Sequence, residues 1–162
     1  MTNAAAKELV ELSRITPPEQ AHALPASAIN ATVCLPFDLR CRTRLRALLS
    51  TGEDAAIVLP RGGMIRGGSI LHSSDDKHAV RVIAADEELL EVQADDAFGL
   101  LRAAYHLGNR HVQLQVLPGA LRLPYDYVLA DMVVRMGAKA ARIHAPFDPE
   151  PGAYSAGGHH HA

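Results

Sequence analysis

The segment Tyr105-His-Leu-Gly-Asn-Arg-His111 and the terminal Gly157-Gly-His-His-His-Ala162 together hold five of the nine histidines of this 162-residue chain. Neutral imidazole is a ligand for late first-row divalent metals, and protonation removes that capacity, so the concentration of histidines points to reversible metal binding. One imidazole alone does not hold a divalent ion tightly in water. A site requires that other histidines converge on the same point, or that the same histidine arrives from a second copy of the chain.

Other chemistries find little support. There is no H-E-x-x-H run and no phosphate-binding Gly-Lys loop, and neither His106 nor His111 has a recognisable nucleophile or orienting carboxylate, so the chain is expected not to be an enzyme. Cys34 and Cys41, with six residues between them, do not form a C-x-x-C knuckle and are expected to be reduced, packed thiols. A formal charge of -2 from sixteen basic and eighteen acidic side chains gives no general attraction to nucleic acid or anionic membrane. No apolar run approaches the roughly 18 to 20 residues of a membrane span, and residues 1–12 lack a signal-peptide core, so a cytoplasmic location is expected.

The elements that would carry the histidines fall into four stretches. Residues 1–30, rich in Ala and Pro and broken by Pro17-Pro18 and Pro25, read as an N-terminal arm. Residues 31–83 read as a small β-rich domain with glycine turns. In it, Arg40, Arg42, Arg44 and Arg46 alternate with Leu39, Cys41, Thr43 and Leu45, which puts four arginines on one face of a strand. That stripe is either a solvated face or a dock for an acidic partner, which would make the chain a metal-free interaction module. The two Arg-Gly-Gly copies read as turns rather than as an RNA-binding tract.

Residues 84–147 follow a strand, helix, strand, strand, helix, strand order, the ferredoxin-like βαββαβ arrangement, so the fold class is α+β. Asp95 or Asp96 caps a helix with Ala97, Leu100, Leu101 and Ala104 on its core stripe, and Gly108 and Asn109 stop it. Asp126 caps a second helix carrying Leu129, Met132, Val133 and Met136, closed by Gly137. His106 falls opposite the first helix's core stripe and is expected to be an exposed helix-end residue. His111 shares strand parity with Gln113 and Gln115, and His144 ends the last strand on the parity of Ala140 and Arg142, so both are expected to face outward. Residues 148–162 read as a flexible tail, whose r.m.s. reach of roughly 20 Å would bring His159, His160 and His161 back to the domain.

Seven motifs, in order, carry a resemblance. They are Leu59-Pro-Arg-Gly62, Arg66-Gly-Gly68, Val82-Ile-Ala-Ala-Asp-Glu87, Tyr105-His-Leu-Gly-Asn-Arg-His111, Pro118-Gly119, Val128-Leu-Ala-Asp-Met132 and Phe147-Asp-Pro-Glu-Pro-Gly-Ala-Tyr154. Over about residues 30–162 the chain resembles the UreE family of urease accessory proteins, which are nickel chaperones. The resemblance implies a peptide-binding-like β domain, a ferredoxin-like metal-binding domain, and a homodimer that sets His111 of each copy side by side. It further implies that His144 or the tail residues His159, His160 and His161 add ligands. It also implies that Ni(II) passes to the urease activation complex through a GTPase accessory protein. Some members carry histidines where this chain has Tyr125 and Tyr127, so an auxiliary site there is expected to be missing. Zn(II) or Cu(II) can occupy the same imidazoles, which leaves a zinc or copper carrier as the alternative.

Overall fold

The computed structural model describes residues 9–62 and 64–151, and the chain divides after Ala84 into two compact units. The first contains β1 (Val10–Thr16), α1 (Pro18–Ala21), a 3-10 turn at Ala26–Ala28, β2 (Ala31–Leu35), α2 (Phe37–Arg40), β3 (Arg44–Leu48), β4 (Asp54–Val58), β5 (Ile70–Ser73) and β6 (Ala79–Ala84). Its strands form one six-stranded sheet in the order β2-β6-β5-β1-β4-β3. The alternation dictated by the strand period sends Val10 and Leu12, Ala31, Val33 and Leu35, Ala55 and Ile57, and Val80 and Val82 into a single core. The sheet curls until its outer strands meet. Ser50, just past β3, donates its N–H to Thr32 O of β2 at 2.8 Å, and its Oγ accepts the Thr32 N–H at 2.9 Å.

Three expectations are corrected here. Residues 10–16 are not part of an arm: β1 lies inside the sheet, parallel to β4 and antiparallel to β5. The four-arginine stripe does not exist, because Pro36 starts a helical turn and Arg40 closes it, donating its N–H to Pro36 O at 3.0 Å. Arg40 is buried, with Nη1 donating to Ile65 O and its guanidinium 5.7 Å from the Phe37 ring centre, and of the four arginines only Arg44 and Arg46 belong to β3, where both are exposed. Cys34 and Cys41 were expected to be packed, but both are exposed, and neither is in a disulfide.

The second unit runs β7 (Asp86–Gln93), α3 (Ala97–Gly108), β8 (Gln115–Leu117), β9 (Ala120–Pro124), α4 (Tyr127–Arg135) and β10 (Lys139–Pro146). Its four strands pair antiparallel throughout, in the order β10-β7-β9-β8. Leu90 and Val92 of β7 and Leu121 and Leu123 of β9 share one face and pack against Ala103 and Leu107 of α3 and Val133 of α4. The molecule as described is thus α+β. Among the described residues no helix is long and apolar enough to cross a membrane.

Leu89 points to the opposite face of that sheet yet is also buried, so something covers this face too. The chain leaves β10 at one edge, buries Phe147 and Pro149, and makes its next hydrogen bonds at the other edge. There the Asp148 N–H donates to Gln115 Oε1 at 3.3 Å and the Glu150 N–H to Leu114 O at 2.9 Å. Residues 147–150 therefore strap the back of the sheet, and the part of the expected flexible tail at 148–150 is docked.

The placement of β1 is directly testable. Leu12 is fully buried, so Leu12→Ala is expected to cost about 2–5 kcal/mol in urea unfolding. A change within about 0.5 kcal/mol, typical of a surface substitution, would restore the arm.

Candidate metal centre

The candidate centre is built by the end of α3. Asp96 starts the helix, its carboxylate accepting the Gly99 N–H at 2.7 Å. Leu100, Ala103, Ala104 and Leu107 then face the core. Phe98, Leu101 and Tyr105, which recur at i, i+3 and i+7, form a second apolar stripe that is 69%, 68% and 66% exposed. Leu101 was expected on the core stripe; the helix is in fact apolar on two faces. Rotation onto the stripe of Ala103 and Leu107 leaves His106 half-buried at its flank, in an edge-on ring contact with Tyr105 at 5.3 Å between ring centres.

The helix does not end at Gly108 or Asn109 by a left-handed residue, since Asn109 keeps a right-handed φ of -64°. Arg110 N–H donates to Leu107 O and His111 N–H to Gly108 O, both at 3.0 Å, so the last turn tightens into i to i+3 bonds. The left-handed residue is His111 itself, at φ +57°. This conformation is uncommon for a side chain with a Cβ, although histidine is enriched in it. It turns the chain out of the helix toward β8 and leaves the imidazole exposed. The expected strand placement of His111 is corrected: regular pairing begins only at Gln115.

His144 is exposed near the end of β10, opposite Glu88 of β7. It shares the face of Ala140, which packs into the helix-covered core, so the expected outward parity is reversed, and exposure comes from the strand end. Beside it Arg142 is ion-paired with Glu88, and its guanidinium lies 4.6 Å from the centre of the Tyr125 ring. His144 belongs to one edge strand, whereas His111 precedes the strand at the other edge. Among the described residues no three His, Cys, Asp or Glu side chains gather closely enough to hold a metal ion. His159, His160 and His161 lie outside the described residues.

Sequence reading missed two features of the site. The outward stripe was visible as the spacing of Phe98, Leu101 and Tyr105. The strap at 147–150 had a weaker signal, the single large apolar Phe147 within a Pro-rich segment.

The profile of the UreE urease accessory protein N-terminal domain matches residues 12–85, and that of its C-terminal domain matches residues 87–162. These matches put the chain among accessory proteins of urease rather than among enzymes. It belongs to the UreE family. It is 55% identical over 130 residues to the urease accessory protein UreE of Burkholderia thailandensis, an overlap covering 80% of this chain and 60% of that one. It is 57% identical over 127 residues to the protein of the same name in Burkholderia pseudomallei, covering 78% and 62% respectively. The Burkholderia mallei relative is 56% identical over 127 residues, again covering 78% and 62%. The chain thus spans about three fifths of the length of these relatives.

The backbone at His111 gives a test independent of metal. Glycine adopts positive φ freely, whereas alanine there costs about 1–2 kcal/mol. Thermal melts without metal are expected to place His111→Gly at or above the parent and His111→Ala below it. The reverse order would mean that position 111 is not left-handed.

Proposed function

We propose that the chain is a nickel-binding metallochaperone that delivers Ni(II) to the urease activation complex, acting in the cytoplasm as a homodimer with a urease accessory GTPase as its handover partner. The second unit is read as its ferredoxin-like metal-binding domain and the first as a peptide-binding-like domain. The observation that carries this reading is His111: an exposed imidazole on a left-handed turn, at the end of a helix whose outward stripe is apolar. A monomer has little reason to present Phe98, Leu101 and Tyr105 to water together, and such a patch marks an interface. If two α3 stripes pack about a two-fold axis, each copy contributes one His111, the second imidazole that a single chain lacks.

The chemistry is transfer rather than turnover. A site made of two exposed imidazoles, topped up by further imidazoles, binds and exchanges a divalent ion in steps, whereas an enclosed thiolate cage would release it slowly. Auxiliary ligands come from His144 or from His159, His160 and His161. The strap favours the latter, because Glu150 is bonded to Leu114, only three residues beyond His111. Imidazole donors do not by themselves separate nickel from zinc or copper. The nickel assignment leans on membership of a family of urease accessory proteins.

Calorimetric titration with Ni(II), Zn(II) and Cu(II), paired with mass measurement in solution, tests the proposal. His111→Ala is expected to abolish the tight nickel site and leave dimers, and removal of residues 158–162 to lower stoichiometry or affinity only. Leu101→Glu is expected to yield monomers that bind nickel weakly although His111 is intact. Unchanged nickel affinity in His111→Ala would remove the central claim, and tight binding to monomeric Leu101→Glu would remove the role of the second copy.

A further inference from the structure

A depression in the first unit is lined by Arg42, Thr43, Arg44, Leu59, Pro60 and Arg61. One wall leads into β3 and the other leaves β4. The two strands pair antiparallel with Arg44 opposite Val58, and the Leu59 N–H donates to Thr43 O at 2.8 Å, which fixes the walls against one another. Three guanidinium groups line the space and no carboxylate does. Arg42 has only a loose ion pair, 3.6 Å to Asp38 with both side chains more than half exposed, a contact of the kind that exchanges readily. Arg44 and Arg61 have no ion-pair partner among the described residues. In a chain with more acidic than basic side chains, this local convergence of cations is a repulsion that folding leaves in place and a bound anion would relieve.

We infer that this depression binds an extended acidic segment of a partner protein, with carboxylates on Arg42, Arg44 and Arg61 and an intervening apolar side chain on Leu59 and Pro60. The guanidinium fork matches carboxylate geometry and keeps its charge at any physiological pH. A single small anion on such an open surface is largely screened at physiological salt. A segment bearing several carboxylates engages all three arginines in one event, each contact raising the effective concentration of the next. Single-stranded nucleic acid fits less well, because the chain is net negative and the lining has no aromatic ring on which a base can stack. Occupation of this surface requires no metal, so it stands apart from the nickel reading.

The test is fluorescence anisotropy of a fluorescein-labelled Glu-Asp-Leu-Glu-Asp peptide titrated with the full chain. Saturable binding that weakens with salt is expected. The pair Arg44→Glu and Arg61→Glu should weaken it about tenfold or more, the scale of two exposed charge contacts reversed. The pair Arg44→Ala and Arg61→Ala should act in the same direction while keeping the parent's melting temperature. Arg46→Glu, on β3 but outside the depression, should change binding by no more than about twofold at physiological salt. Equal affinity in the parent and both double variants would overturn the inference. So would inorganic phosphate or an oligothymidylate displacing the peptide at concentrations below the peptide's own dissociation constant.

Discussion

The candidate centre depends on one backbone constraint, the left-handed residue that ends α3. An antiparallel sheet with both helices on one face requires the chain to leave α3, reverse and enter β8 within a few residues. The bonds from Asn109, Arg110 and His111 back to Tyr105, Leu107 and Gly108 tighten the last turn until one residue must take positive φ. Glycine would meet that demand without strain, and Gly108 stands three residues away. That a histidine occupies the position couples the reversal of the chain to the presentation of an imidazole. The side chain is held out by the backbone rather than by packing.

The strap at 147–150 answers a second constraint. Helices shield Leu90 and Val92, but Leu89 faces the other way and is equally buried. Phe147 and Pro149 are themselves buried, and the hydrogen bonds to Leu114 and Gln115 carry the chain across to the edge that follows the His111 turn.

How far the sequence discloses this depends on how local each signal is. A cap at Asp95 or Asp96, which the structure places at Asp96, and one at Asp126 were legible because capping is a contact within three residues. The core stripe of α4, from Leu129 to Val133, was legible because that helix has one continuous apolar core face. In α3 two apolar stripes compete, and Leu101 belongs to the one that periodicity alone assigns wrongly. β1 was lost because Pro17-Pro18 dominates its neighbourhood, while its partners, Ala55 to Ile57 and Ile70 to Ser73, lie about 45 to 60 residues away. The arginine alternation around residue 40 suited a strand well. Only the start of a turn at Pro36 and the burial of Arg40 decide otherwise. The conformation of His111 had no sequence signal stronger than histidine's tolerance of positive φ.

The bonds between Ser50 and Thr32 bear on how the protein survives in a crowded cell. A sheet edge presents unpaired N–H and C=O groups, a template on which other chains can add as strands. In the first unit the two outermost strands meet at this point, so its one sheet is partly closed against such growth. Among the described residues the four-stranded sheet has no comparable closure, and its outer strand β10 runs for eight residues. Along it Lys139, Arg142 and a terminal Pro146 supply the charges and the missing N–H that discourage a foreign strand. Resistance to aggregation is therefore built twice in one chain, by geometry in the first unit and by side-chain chemistry in the second.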